Sequence, residues 1–374
     1  MDLTQKIIDI NTVKNKIITG DSLQVLKQLP DNSIDCVMTS PPYWALRNYQ
    51  VAGQLGLEKD FNEYLIKLCD IFSEIKRVLK DSGTCWVNLG DSYSNSGGNH
   101  KNSKLQGKNY ELKDTKHKAD IPAKNLCLIP FKFVIEMQNR GWYVRNVVIW
   151  YKPNSMPESV KDRLTKTYEF LFFFTKSKQY YFDIDSIRVP LKESSIARMA
   201  YPLDNLGDAF MPMVKSAERK KVLLRNTNSF NYRVRDSEKK GELCPQFKAS
   251  QFEIKKYKTR GSLRPVTGEN VYFETGLGYS EKYNNLKGKN PGDFWEISTK
   301  GFNEMHFAVY PEKLCLIPLQ AGCPKDGIVL DPFSGSGTTC LAAKKLNRQY
   351  IGIELNNKYV VMSEKRIHNK AGLL

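Results

Sequence analysis

Short apolar runs alternate with amphipathic stretches along this chain, and the alternation breaks once. Lys16–Thr19 is a strand-sized apolar run closed by Gly20-Asp21, and Ser22–Gln28 has the spacing of a helix. Asn32-Ser33 make a turn before the strand Ile34–Met38, which runs into Thr39-Ser40-Pro41-Pro42-Tyr43-Trp44, where two prolines stop strand and helix alike. Leu65, Leu68, Ile71, Phe72, Ile75, Val78 and Leu79 recur at helical spacing and predict a helix from Phe61 to Leu79. A strand Gly83–Leu89 ends in Gly90-Asp91-Ser92, and residues 95–118, rich in Asn, Gly, Ser and Lys, read as a mobile loop. A helix over Leu126–Asn139 is stopped by Gly141, and Tyr143–Tyr151 and Tyr168–Thr175 follow as strands.

Residues 179–300 lose this rhythm. They carry basic clusters with interleaved aromatics, among them Phe230, Tyr232, Phe247, Phe252, Tyr257 and Tyr272. Their length argues against a mere surface loop, since structureless loops this long are uncommon in compact domains. The rhythm returns near Tyr310: helix Glu312–Ala321, strand Gly327–Leu330, helix Gly337–Leu346, strand Gln349–Glu354 and a closing helix Tyr359–Asn369. Alternating strands and helices predict an α/β fold with a mostly parallel sheet. The expected division is 1–178 and 301–374 as two halves of one domain, with 179–300 inserted between them.

Composition narrows the partner. The chain has 374 residues, 41% of them hydrophobic, so a packed core is feasible, and its formal net charge of +17 points to a polyanion, nucleic acid first. A Lys-rich composition inherited from an AT-rich genome accounts for such a charge equally well. From Lys176 to Lys300 there are 24 Lys and Arg against 15 Asp and Glu, a net +9, so about half of the excess lies in the irregular segment. The polar start, Met1 to Asn15, does not read as a signal peptide, and no stretch approaches the ~20 apolar residues of a membrane span, so a cytoplasmic protein is expected. Eight scattered Cys, none in a Cys-x-x-Cys pair, and four His speak for free core thiols rather than a metal site.

Two motifs carry chemistry. In the first, Val329–Thr339, a strand enters Asp331-Pro332-Phe333 and then a Gly335-x-Gly337 turn that opens a helix. Glycines let the backbone approach a ligand, and Glu354 at the tip of the next strand can hold ribose hydroxyls. The dinucleotide fingerprint is incomplete, because Thr338, Thr339 and Cys340 follow Gly337, and no Lys follows as in a phosphate-binding loop. The second motif, Thr39–Trp44, suits an exocyclic amine, whose lone pair is delocalised into its ring and is a poor nucleophile. Two acceptors, the Ser40 side-chain oxygen and a nearby proline carbonyl with no competing N–H, can hold the amine's hydrogens and turn its lone pair toward a methyl sulfonium. Tyr43 can stack on a flipped base.

At these residues the chain resembles the amino-methyltransferases of bacterial restriction–modification systems and phages. Thr39–Trp44 looks like their catalytic motif in its Ser-Pro-Pro-Tyr form and Val329–Thr339 like their S-adenosylmethionine loop, in the circularly permuted β order. The resemblance implies a Rossmann-like methyltransferase sheet of the seven-strand type with one reversed strand, S-adenosylmethionine as cofactor and double-stranded DNA as substrate. It implies a catalytic set of Ser40, Pro41, Pro42 and Tyr43. It implies a cofactor set of Asp21, Thr39, His306, Phe307, Asp331, Phe333, Gly335, Gly337, Thr338 and Glu354. The stretch 179–300 falls where the family keeps its target-recognition region, and Lys220, Arg233, Arg235 and Lys256 are candidate DNA contacts there. A cognate restriction endonuclease acting on the same site, and a monomer or homodimer, are the further expectations.

Ser rather than Asp at residue 40 resembles the cytosine-N4 group; adenine N6 is the alternative, since motif physics admits either. Cytosine-C5 chemistry needs a Cys nucleophile, usually in Pro-Cys, whereas Cys244-Pro245 and Cys323-Pro324 have the reverse order. RNA or protein amide methylation is the remaining enzymatic rival, and a catalytically dead DNA-binding module the non-enzymatic one. Asp331→Ala and Glu354→Ala are expected to weaken cofactor binding while leaving the fold intact.

Overall fold

The computed structural model describes residues 7–94, 121–191, 288–299 and 310–370. The chain divides into two compact units, Met1–Ile187 with Gly292–Leu374, and Arg188–Pro291. The described part of the second unit includes a pair of reciprocal backbone hydrogen bonds between Val189 and Lys289.

Among the described residues, the first unit is built on one eight-stranded sheet. Its strands are β1 (Lys16–Thr19), β2 (Ile34–Thr39), β3 (Leu79–Leu89), β4 (Tyr143–Tyr151), β5 (Tyr168–Thr175), β6 (Phe294–Glu296), β7 (Ile328–Asp331) and β8 (Gln349–Glu354). They lie side by side in the order β1-β8-β7-β2-β3-β5-β4-β6. Of these described strands only β5 runs against its neighbours, pairing antiparallel with β3 and β4. The helices are α1 (Ile10–Val13), α2 (Ser22–Gln28), α3 (Phe61–Val78), α4 (Ile129–Asn139), α5 (Glu312–Gly322), α6 (Thr338–Lys345) and α7 (Asn357–Lys370). The expected Rossmann-like, mostly parallel sheet with one reversed strand is the fold observed, with eight described strands in place of the expected seven.

Alternation along each strand explains the two cores. Val37, Val87, Phe172, Phe174, Leu330 and Ile353 face one side and pack with α2, α3 and α4. Cys36, Met38, Trp86, Leu171, Phe173 and Val329 face the other and pack with α5, α6 and α7. Strands covered on both faces read as continuous apolar runs, which accounts for the unbroken stretch Phe170–Phe174. Trp86 and Phe173 stack across β3 and β5 at 4.0 Å.

Several boundaries differ from the sequence reading. β3 begins at Leu79, directly where α3 ends, rather than at Gly83. Its polar start is held by an ion pair, 2.7 Å, from Lys80 to Asp35, and Asp35 also accepts the Ile328 N–H at 2.9 Å. α4 begins at Ile129 rather than Leu126, because Leu128 takes a left-handed conformation and Pro130 occupies the first turn. β6, three residues inside the 179–300 segment, pairs parallel with β4. The seven described cysteines are all buried and free, and burial pushes the thiols of Cys36 and Cys69 up to about 12. No described helix is long and apolar enough to cross a membrane.

Candidate active site

Strand order locates the site. β2 and β7 are parallel neighbours. From β2 the chain passes by α3 to β3 on one side, and from β7 by α6 to β8 on the other. At such a switch point the connections leave the carboxyl ends in opposite directions and open a crevice between them. A cavity of about 590 Å³ lies there, within the ~300–1,000 Å³ range of small-molecule sites.

Its two walls meet at one hydrogen bond. Thr39 ends β2 and donates its hydroxyl, 2.6 Å, to Asp331, which ends β7. Asp331 also accepts from Tyr310 Oη at 3.1 Å and from the Phe333 N–H at 3.1 Å. It is fully buried, and burial pushes its carboxyl above the usual range, against the pull of those donors. Of the residues expected to hold a cofactor, Asp21, Phe333, Gly335, Thr338 and Glu354 line the cavity. Thr39, Asp331 and Gly337 do not line it: the first two are buried and bonded to each other, and Gly337 faces Ser363 and Ile367 of α7. His306, Phe307, Lys220, Arg233, Arg235 and Lys256 lie outside the described residues.

The loop after β7 is shaped by backbone. Gly335 (φ 52°) and Gly337 (φ 72°) both take the left-handed conformation that side chains disfavour, and a Cβ on Gly337 would come within 2.9 Å of the Ser363 Cβ. Arg366 on α7 ties the loop down through Ser336 and Thr338 at 2.8–2.9 Å. Glu354 closes this end: its two oxygens accept the Gly335 and Asn356 N–H groups, each at 2.8 Å. Burial raises its carboxyl above the ordinary glutamate range, opposed by those bonds. On the adjoining rim Asp21 caps α2 through the Gln24 N–H, and Ser22 Oγ donates to the Pro332 carbonyl at 2.5 Å.

The other end is built from side chains. Ser40, Pro41, Pro42 and Tyr43 line the cavity together. The Pro42 carbonyl accepts from Tyr64 at 2.8 Å, which fixes the turn. The ring of Tyr43 lies against Gly90, where a Cβ would meet it at 2.5 Å. Desolvation, then the charge of Glu169, pushes the Tyr43 phenol well above its usual range, so it stays neutral. Asn88, Trp150, Lys152 and Glu169 also line this end, and the motif reading missed them. A signal existed for Glu169, the lone carboxylate in the apolar strand Tyr168–Thr175. Among the described residues no group of three or more His, Cys, Asp and Glu is placed to hold a metal ion.

Residues 34–365 match the family profile of the N6/N4 DNA methylases. The chain belongs to this DNA methylase family. It is 35% identical over 390 aligned residues to the type II methyltransferase M.SfiI of Streptomyces fimbriatus, covering 92% of this chain and 89% of that one. It is 30% identical to M.SmaI of Serratia marcescens, covering 98% and 95%. Among solved structures, the PvuII DNA methyltransferase (cytosine-N4-specific) superposes with a TM-score of 0.51 over 96% of this chain and 94% of that one, at 18% identity, and so shares the fold. The methylase family draws its methyl group from S-adenosylmethionine. The residues of this DNA methylase fit that group. The left-handed Gly335 brings backbone to the cavity, a carboxylate ends the next strand, and Phe333 offers an aromatic face.

Proposed function

We propose that this methylase transfers the methyl group to N4 of cytosine in a flipped-out base of double-stranded DNA, by direct attack of the amine. The observation that carries the reading is Ser40. It lies one residue beyond Thr39, which is bonded to Asp331 of the cofactor strand, so the two halves of the reaction meet there. It is a neutral acceptor, and Asn88 Oδ1 lies 3.3 Å away to take its hydroxyl proton, which frees the Ser40 lone pairs for an amine without burying a carboxylate beside it.

Glu354, Gly335, Phe333, Thr338 and Asp21 would hold S-adenosylmethionine, which when bound supplies an electrophilic methyl on sulfur. Ser40 Oγ and the Pro41 carbonyl hold the hydrogens of the amine and so favour a pyramidal nitrogen; Pro41 is assigned because the Pro42 carbonyl already serves Tyr64. Tyr43 stacks on the base, an interaction worth ~1–3 kcal/mol. Residues 179–300 serve as the target-recognition region between the two halves of the domain, with Lys220, Arg233, Arg235 and Lys256 on phosphates and base edges. Neutralising these four is expected to lower DNA affinity and to flatten its salt dependence by about 0.9 in log–log slope for each phosphate left without its cation. Nucleoside mass spectrometry of DNA from a host expressing the chain tests the target. N4-methylcytosine is expected; N6-methyladenine overturns the cytosine assignment and keeps direct attack, and 5-methylcytosine overturns both.

A further inference from the structure

Behind Ser40 and Tyr43 lies a polar cluster of which the transfer reading uses only Asn88. Asn88 near the end of β3, Glu169 on β5 and Lys152 just past β4 converge on it from three strands. Asn88 is buried, and its amide hydrogens are both committed: Nδ2 donates to Glu169 Oε2 at 3.2 Å and to the Phe170 carbonyl at 3.0 Å. Turned over, the amide would point its oxygen at a carbonyl and a carboxylate. Its Oδ1 therefore faces Ser40 and Tyr43, at 3.3 and 3.1 Å.

The protons can then be followed. The single hydroxyl proton of Tyr43 goes to Glu169 Oε2, the nearer and charged acceptor at 2.8 Å. That leaves Asn88 Oδ1 to accept from Ser40, whose oxygen keeps its lone pairs for the amine, while the Tyr43 ring is anchored by its hydroxyl. Glu169 Oε1 is held by Lys152, whose ammonium also lies 4.3 Å from the centre of the Trp150 ring. The ion pair fixes the carboxylate in place, so its effect is one of direction.

We propose that Glu169 is a positioning residue for methyl transfer, which sets Ser40, through Asn88, as a hydrogen-bond acceptor toward the amine and pins Tyr43 in place for stacking on the base. This rests on the amine-methylation reading above. In the step it serves, the nitrogen–carbon bond forms, the carbon–sulfur bond breaks with its pair going to sulfur, and the nitrogen loses a proton to solvent. In Glu169→Gln an amide N–H must face either Lys152 or the Asn88–Tyr43 side. Either arrangement sets donor against donor and breaks the polarity of the chain.

The test is single-turnover transfer of radiolabelled methyl from S-adenosylmethionine into unmethylated genomic DNA, with KM for both substrates and the melting temperature measured alongside. E169Q is expected to slow transfer roughly 100-fold, the size of losing one preorganised polar group, with both KM values within about twofold of those of the unaltered chain. Glu169→Asp, which keeps the charge, is expected to recover at least about a tenth of the lost rate. An E169Q rate within about threefold of the unaltered chain, or a loss confined to KM, overturns the proposal. Should E169Q fail to fold, Tyr43→Phe keeps the ring and removes the hydroxyl through which Glu169 anchors it, together with that hydroxyl's contacts to Asn88 and Ser40; an unchanged rate in that variant overturns the proposal equally. If the unaltered chain moves no methyl to DNA, the amine-methylation reading itself fails, and this inference with it.

Discussion

The two ends of the cavity are made in different ways. The end we assign to the cofactor is largely one contiguous run, Pro332 to Thr338, plus Glu354 at the end of the next strand, and it is shaped by backbone: left-handed glycines, and the Gly335 and Asn356 N–H groups that hold Glu354. The end we assign to the amine draws on the segment after β2, on β3, β5 and the segment after β4, and is held by hydrogen bonds between side chains 17 to 126 positions apart in the chain. A ligand common to many reactions can be held by backbone, which tolerates drift in side chains. Directing one lone pair requires side-chain atoms at fixed angles, and these come from wherever the sheet places them. The two ends should therefore fail differently: damage at the amine end lowers rate, and damage at the cofactor end lowers affinity or stability.

Ser40→Ala tests this division most severely. Turnover is expected to fall roughly 100- to 1,000-fold, the range for removing one preorganised polar group, while cofactor affinity by calorimetric titration stays unchanged. Equal losses in rate and cofactor affinity would erase the distinction between the ends.

Asp331→Ala probes the junction. On the sequence alone its effect is expected to fall on cofactor binding with the fold intact. The structure places the carboxylate under the wall, accepting from Thr39, Tyr310 and the Phe333 N–H. Removing it strands buried donors at about 1–3 kcal/mol each, so both melting temperature and cofactor affinity should drop. A variant that binds weakly but melts like the unaltered chain would return Asp331 to a direct contact.

Gly90→Ala sharpens the amine end alone. The added methyl would meet the ring of Tyr43 at 2.5 Å, and that ring is pinned by its hydroxyl to Glu169. Transfer should slow roughly 10- to 100-fold through misplacement of the ring, with cofactor affinity intact. Unchanged transfer would mean that the ring has room to shift.

The same contrast decides what could be read in advance. Asp331-Pro332-Phe333, Gly335 and Gly337 were legible because a backbone device must be written in consecutive residues, and Ser40–Tyr43 because two prolines mark a fixed turn. Strands β4, β5 and β8 were legible to the residue, since apolar runs bounded by polar turns leave little freedom. Asn88, Glu169 and Lys152 were not assembled, because their relation exists only once β5 is inserted antiparallel between β3 and β4. β6 escaped because three residues carry no period, and the start of β3 because Lys80, Asp81 and Ser82 look like a turn until Asp35 is seen beside Lys80.

The smallest effect expected belongs to the cofactor end and is a matter of pH. Burial raises the Glu354 carboxyl, so its loss of charge begins above the ordinary glutamate value of about 4.3. Ribose hydroxyls donate to the charged form. Cofactor affinity should therefore be full above this window and fall as pH drops through it, by at most about tenfold per pH unit for one proton. Fold stability has the opposite sign: a raised carboxyl favours the folded chain while protonated, and that contribution is lost as pH rises through the same window. Asp331, also raised by burial, adds to the stability slope, but its oxygens are turned to Thr39, Tyr310 and Phe333 rather than to the cavity. Glu354→Gln should flatten the affinity profile and leave the Asp331 part of the stability profile in place. A Glu354→Gln profile that still falls in acid would assign the titration to another group.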